Sequence, residues 1–376
     1  MVCYNQNELL RRKPAARQKK REIEVVVLDT KWVKIPAHNP DLQVLKTAGE
    51  IIQNGGLVAF PTETVYGLGG DALNPESAKK IYAAKGRPSD NPLIVHICKT
   101  EDMEKIVREV PAQAYVLAER FWPGPLTMIM KKADCVPAET TGGLDTVAVR
   151  LPDHPAALGF IREAGGFVAA PSANTSGRPS PTLGKYVYED MNGRIEMILD
   201  SGEVGIGVES TIIDLTEDIP VILRPGHVTL EMLQEVLGEV CLDPTMLESD
   251  CQQAPKAPGM KYRHYAPRGE LVIVSGDRAK VSEKIAELLE EKRGQGLKTG
   301  VIVSREEQQL YKADSIKVTG ERTDMAAVAR SLFRILREFD EEQIDCMYVQ
   351  AFPQDGIGQA VMNRMLKAAG HKMIEV

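Results

Sequence analysis

Residues 57–87 read LVAFPTETVYGLGGDALNPESAKKIYAAKGR, and the order of signals within them decides the kind of fold. Leu57–Phe60 is a short apolar run and predicts a buried strand. A polar, hydroxyl-rich stretch, Pro61–Gly67, follows at once. Gly67-Leu68-Gly69-Gly70-Asp71-Ala72 then matches G-x-G-x-x-A, but a dinucleotide fingerprint has to open a helix at that turn. Here the helix signal comes later. Asn74 is the expected N-cap, Pro75 the first helical residue and Gly86 the stop after Lys85. The dinucleotide reading is therefore set aside.

Working outward, Asp41–Gln53 has helical spacing and stops at Asn54-Gly55-Gly56, and Val25–Ile35 alternates as an edge strand. Strands are expected at 93–97, 126–130, 146–151, 167–170, 195–200, 210–214 and 221–223, with helices at 111–120 and 229–237. This mixture predicts an α/β or α+β domain built on a mixed sheet rather than a doubly wound one. From Leu271 the pattern changes to strand 271–275, helix 280–292, strand 299–303, helix 324–339, strand 344–350 and helix 358–369. Such alternation implies a small three-layer parallel domain. Residues 239–268 hold Pro244, Pro255, Pro258, Gly259 and Pro267 with little periodicity and predict a linker. The expected organisation is a disordered basic tail at 1–25, a first domain at 26–238, the linker at 239–268 and a second domain at 269–376.

Composition sets the class. The 376 residues suit two domains, and 43% apolar with 26% charged residues suits a soluble globular chain. No run approaches the roughly 20 apolar residues that span a bilayer. A net charge of −7 argues against tight nucleic-acid binding through phosphates, though a small anion needs only a few placed cations. The six cysteines form no C-x-x-C pair and the N-terminus lacks an apolar secretory core, so a cytoplasmic protein is expected. Arg11–Arg21 carries seven basic residues and no acid. It reads as a disordered tail, with an RNA-touching arm, a transit peptide or an over-extended start as alternatives. Gly177–Lys185 fails as a P-loop, because six residues separate Gly177 from Gly184 and Tyr186 follows the lysine. The six histidines are isolated, so no dedicated transition-metal site is expected.

Five segments concentrate small, hydroxylic and cationic residues beside apolar strands: Pro61–Gly67, Lys85–Pro88, Pro171–Asn174, Glu209–Thr211 and Arg224–Gly226. Hydroxyls, backbone N–H groups and guanidinium forks grouped this way suit phosphate and carboxylate. Each has a plainer reading. Thr62, Thr64, Ser172 and Ser210 could be turn residues, Lys85 and Arg87 a helix C-terminal charge pair, and Arg150 and Arg224 surface ion-pair partners. The five together favour a site.

The strings FPTETVYGLGGD (60–71), KGRPSDNPL (85–93), FWPGPLT (121–127), PSANTSGRPSPT (171–182), GVEST (207–211) and LRPGH (223–227) closely resemble the YrdC family of threonylcarbamoyl-adenylate synthases. The resemblance covers residues 41–230. The linker APGMKYRHYAP (257–267) and the α/β tail resemble the longer, two-domain form of that family. It implies a YrdC-like twisted mixed sheet with a concave basic face, plus a small C-terminal Rossmann-like domain, and a linker lying across the cleft. It also implies an activity: threonine, bicarbonate and ATP would give threonylcarbamoyl-AMP and pyrophosphate, for N6-threonylcarbamoyladenosine in tRNA. Carried over by motif, Thr64, His96, Arg150, Ser210 and the backbone at Ala170 would hold threonine. Arg87, Asn91, Thr146, Ser172, Ser180 and Arg224 would hold ATP. Lys85 and Arg87 would serve the chemistry, with Lys85 neutralising phosphates or the carbamate. Tyr262, Arg263, His264 and Tyr265 would form a lid. Mg2+ is expected with ATP, with Glu63 and Glu209 as outer-shell candidates and no protein ligand named. Hand-off to the threonylcarbamoyl transferase machinery acting on tRNA is the partner expectation. The main rival is an RNA-binding YrdC-like module without chemistry. The carbamoyl-transfer branch that matures hydrogenases carries zinc-binding cysteine pairs that this chain lacks, and a scaffold with a decayed site would show degraded motifs.

Overall fold

A computed structural model describes residues 28–244, 257 and 264–376. The basic tail expected at 1–25 and the lid residues Tyr262 and Arg263 lie outside the described residues.

The first domain carries eleven strands: β1 Lys31–Lys34, β2 Val58–Phe60, β3 Gly67–Asp71, β4 Ile94–His96, β5 Leu126–Lys131, β6 Thr146–Arg150, β7 Val168–Ala170, β8 Met197–Asp200, β9 Thr211–Asp214, β10 Val221–Arg224 and β11 Cys241–Leu242. Its helices are α1 Leu42–Gln53, α2 Pro75–Lys85, α3 Met103–Ile106, α4 Ala112–Phe121, α5 Pro155–Glu163, α6 Gly184–Met191 and α7 Leu230–Leu237. The strands form one sheet in the order β1-β8-β2-β3-β7-β4-β6-β5-β9-β10-β11. Pairings of both senses occur, such as parallel β4–β6 beside antiparallel β5–β6, so the mixed sheet expected from the sequence is present. β1 lies at one edge, as its alternation predicted, and is shorter than the expected 25–35. At the other edge, β11 pairs with β10 and so gives regular structure to a segment read as linker.

The glycines of β3 explain why that strand was not expected. A Cβ on Gly69 would lie 2.8 Å from Val168 Cγ1, and one on Gly67 would lie 3.0 Å from Phe60 Cζ. Glycine is a poor strand former, but here close packing against neighbouring side chains requires it. No helix opens at this turn. α2 begins at Pro75 with Asn74 accepting the Glu76 N–H, and Gly86 closes it in the left-handed region.

The second domain comprises β12 Glu270–Ser275, α8 Arg278–Gly294, β13 Thr299–Val303, β14 Ser315–Val318, α9 Met325–Glu341, β15 Cys346–Gln350, α10 Gly356–Ala368 and β16 Met373–Glu375. Its five strands, ordered β14-β13-β15-β12-β16, are parallel throughout. Side chains alternate between faces. Val274, Val301, Val303 and Tyr348 pack with Val281, Ile285 and Leu289 of α8. Ile273, Ile302, Met347 and Val349 pack with α9 and α10. This is the three-layer arrangement that the sequence pattern implied.

The two domains share buried surface. Val65 and Val208 of the first enter the core of the second beside Val328 and Phe333. Gly207 is where the backbones meet: at φ 88° it places its missing Cβ 2.4 Å from Arg330 Cα of α9. Gly207→Ala is expected to cost about 2–4 kcal/mol, from left-handed strain plus overpacking against backbone. Denaturant unfolding checks this, and a loss below about 0.5 kcal/mol would show that the contact yields without cost.

Candidate active site

Strand register lays the key side chains in one row across the sheet. His96 is paired with Arg150, Arg150 with Thr127, Thr127 with Ile212, and Ile212 with Arg224. Paired residues point to the same face, so the row projects into one space. His96, Arg150 and Arg224 of this row line one polar cleft. Ile94 lines it and belongs to an apolar cluster with Ile129, Ala148, Ile212, Leu223 and Ala257, the last of these fully buried.

At one end stands Arg150, only 4% exposed. Its Nη2 lies 2.8 Å from Glu63 Oε1 and donates to Thr64 Oγ1 at 2.9 Å. Its Nε is buried without a hydrogen-bond partner. A buried N–H left unpaired is costly unless a ligand takes it. Thr62 and Thr64 hydroxyls lie 2.9 Å apart. His96 lies against Phe60 edge-on, with Nδ1 3.1 Å from the Ile94 carbonyl oxygen.

The other end is built from α2 and the Pro171–Thr182 loop. Lys85, the last residue of α2, is buried, and its Nζ donates to the Ser172 and Asn174 carbonyls at 2.5 Å each. Burial first, and Arg87 second, push Lys85 well below an ordinary lysine. Arg87 reaches the Pro92 carbonyl at 3.2 Å. Arg224 donates through Nε and Nη2 to the Ser210 carbonyl and hydroxyl, at 3.0 and 3.1 Å. Ser210 also meets Thr127 Oγ1 at 2.8 Å. Ser180 donates to Glu209 Oε1 at 2.6 Å. Arg150 and Arg224 are both buried, so the surface ion-pair alternative for them is rejected. Lys85 does end a helix, as the plainer reading held, but its ammonium is spent on the loop.

Burial pushes His96 and His264 down to about 3, with the charge of Arg150 adding to the first and Arg87 to the second. Burial alone would raise Glu209, but Arg364 and Arg224 outweigh it and hold the carboxyl at about 2. All three groups bind fewer protons folded than unfolded. The two histidines must therefore cost stability as pH falls from 6.5 towards 3, and Glu209 as it falls from 4.5 towards 2. Between these limits the histidines alone give a slope of roughly 2–3 kcal/mol per pH unit. Melting temperature measured from pH 7 to 4 should drop steeply, and less steeply in His96→Gln. A flat profile would mean that these side chains reach water.

Of the residues singled out in the sequence, Lys85, Arg87, His96, Arg150, Ala170, Ser172, Ser180, Ser210, Arg224 and Tyr265 line the cleft together, with His264 beside them. Thr64 touches it through Arg150. Asn91 and Thr146 do not line it. They precede the registered pair Ile94–Ala148, at the amino ends of parallel β4 and β6. The Asn91 amide is buried there with neither atom hydrogen-bonded. Sequence reasoning missed two arginines of the second domain, Arg337 and Arg364. Both are fully buried and reach into the first domain. Among the described residues, no group of three or more His, Cys, Asp or Glu side chains could hold a metal ion, and no helix is long and apolar enough to cross a membrane.

Comparison with known proteins gives this geometry a context. Residues 50–226 match the Sua5/YciO/YrdC family model, described as telomere recombination. Residues 228–370 match the model of the threonylcarbamoyl-AMP synthase C-terminal domain. A Pyrococcus abyssi protein named threonylcarbamoyl-AMP synthase is 49% identical over 88% of this chain and 96% of its own length. One of that name from Bacillus subtilis is 47% identical over 89% and 95%. The crystal structure of Pyrococcus abyssi Sua5 complexed with L-threonine superposes with a TM-score of 0.87 at 46% identity, over 92% of this chain and all of that one. With both models matched in order and such relatives spanning nearly the whole chain, this protein belongs to the Sua5/YciO/YrdC family, in its two-domain form.

Proposed function

We propose that this chain is a threonylcarbamoyl-AMP synthase, an adenylyl-transferring enzyme that serves tRNA modification. One observation carries the reading: a single buried cleft holds a guanidinium with an unpaired N–H at one end and a cluster of cations and hydroxyls at the other. The names of the relatives, and the threonine bound to one of them, support it.

Threonine sits at the Arg150 end. Its carboxylate takes the Arg150 fork, while Thr64, Ser210, His96 and the Ala170 backbone bound its amine and hydroxyl. The neutral state of His96 keeps a second charge away from the ammonium-bearing substrate. ATP lies along the cleft beside Ile94. Its base lies toward Asn91 and Thr146, and its phosphates lie among Arg87, Ser172, Ser180, Arg224 and Lys85. The threonine nitrogen attacks carbon dioxide derived from bicarbonate and loses a proton, giving a carbamate. A carbamate oxygen then attacks the α-phosphorus, and the bond to the bridging oxygen breaks to release pyrophosphate. No enzyme nucleophile is needed, so catalysis rests on alignment and on cations facing the charge that develops at phosphorus.

Magnesium enters as part of the substrate, carried on the ATP phosphates. The nearby carboxylates Glu63 and Glu209 are already engaged by Arg150 and Arg364. His264 and Tyr265, which line the cleft, shield it and keep water from the mixed anhydride. Tyr265 stacks on Phe333 at 5.0 Å, which seats it on the second domain. The product passes, in the cytosol, to the transferase that modifies tRNA. Mass spectrometry of a reaction with carbon-13 bicarbonate tests the assignment. A labelled threonylcarbamoyl-AMP is expected, and AMP without a labelled adduct would contradict it.

A further inference from the structure

Among the described residues, the two largest fully buried side chains are arginines of the second domain, Arg337 and Arg364. Both end on one short stretch of the cleft wall. Arg337 donates to the Pro179 carbonyl through Nε and Nη2, at 3.0 and 2.6 Å, and pairs with Asp190 at 2.8 Å. Arg364 Nε donates to Glu209 Oε2 at 2.8 Å, and the other oxygen of Glu209 accepts from Ser180. Pro179–Ser180 is thus held from both sides by the second domain. Arg364 also lies over the Tyr265 ring at 5.8 Å, and its Nη2 is buried without a hydrogen-bond partner.

The charges decide what this does. Glu209 is electrostatically coupled to two guanidiniums, Arg364 and Arg224, leaving the trio at net +1. Without Arg364 the carboxylate has Arg224 as its main counter-charge, and the trio falls to zero. Arg224 would then offer its charge to Glu209 instead of to phosphate, and Glu209, left with Tyr265, would hold Ser180 less firmly. Of the residues at the threonine end, Arg150, Thr64 and His96 bond to neither Arg337 nor Arg364, and Ser210 meets this network only through Arg224.

We propose that Arg364 is a positioning residue for the nucleotide. By holding Glu209 it fixes Ser180 and preserves the positive charge of Arg224 toward the triphosphate, so the second domain tunes ATP use and leaves threonine binding alone. The inference rests on the assignment of ATP to this end of the cleft.

The full-length chain tests it with Arg364→Met, Glu209→Gln and the double variant. Threonine affinity is read by calorimetry without ATP, and the KM for ATP from pyrophosphate release. Arg364→Met should raise the ATP KM by about tenfold to a hundredfold and change the threonine Kd less than about twofold. Adding Glu209→Gln restores the net charge and leaves no buried carboxylate unpaired, so it should recover at least about half of that loss on a logarithmic scale. If Arg364 merely glues the domains together, the double variant will be no better than the single one, and that result overturns the inference. So does a loss of threonine affinity equal to the loss for ATP. Should Arg364→Met fail to fold, the double variant carries the test: its ATP KM must stay within about tenfold of wild type. A wild-type protein that binds threonine but uses no ATP overturns the nucleotide assignment itself, and this inference with it.

Discussion

Arg150→Ala is expected to lower kcat/KM for threonine by about a hundredfold or more while the KM for ATP moves less than about threefold. Arg150 is almost wholly buried, and Glu63 and Thr64 hold one edge of its guanidinium, so the fork is aimed before any ligand arrives. Its Nε has no hydrogen-bond partner, which is what a fork awaiting a carboxylate presents. Charge-assisted hydrogen bonds contribute about 1.5–3 kcal/mol each, and losing about 3 kcal/mol slows a reaction by roughly two powers of ten. The loss should fall on threonine because Glu63 and Thr64, which hold Arg150, are not the groups that hold Lys85 and Arg224. Arg150→Lys keeps the charge and loses the planar fork, so it should fall between wild type and alanine. Substrate-dependence kinetics decide the matter, and equal damage to both substrates would remove Arg150 from the threonine site.

Lys85→Met is expected to cut kcat by about a thousandfold, through ATP rather than threonine. The ammonium ties the Ser172 and Asn174 carbonyls to the end of α2, and this loop continues to Ser180. Removing it strands two buried carbonyls and deletes a cation from the phosphate end, each costing about 1–3 kcal/mol. Methionine keeps the length of the side chain, so the effect is of charge and hydrogen bonding more than of volume. A second readout separates Lys85 from a plain structural anchor. Its proton affinity is depressed by burial in the ligand-free cleft, and an arriving triphosphate raises it, so proton uptake on ATP binding should grow as the buffer pH is raised. Calorimetry in buffers of different ionisation enthalpy measures this. Uptake that persists unchanged in Lys85→Met would assign the proton to another group.

The elements legible in the sequence were those whose apolar period was undisturbed. α2 has its Asn74-Pro75 start, and the strands expected at 299–303 and 344–350 and the helix expected at 324–339 are found at Thr299–Val303, Cys346–Gln350 and Met325–Glu341. β3 was hidden because crowding by Phe60 and Val168 replaces strand-forming side chains with glycine. α6 opens on Gly184, whose missing Cβ would strike the Asp200 carboxylate at 2.3 Å, so tertiary packing overrides propensity at a position that looks like a loop. The cleft was legible as a set of residue types at strand ends, because phosphate and carboxylate chemistry needs such groups. Its second-domain support was not. One trace existed: Arg364 falls between Val361 and Met365, and Arg337 between Leu336 and Phe339, on stripes that otherwise bury apolar side chains. A charge on such a stripe must find a partner across an interface, and Glu209 and Asp190 are those partners.

The central claim is that one cleft joins threonine, bicarbonate and ATP. Pyrophosphate release by the purified full-length protein, with each of the three withheld in turn, tests it most directly. The account predicts release that requires all three together. Release that continues without threonine or without bicarbonate, from a folded sample, would contradict it.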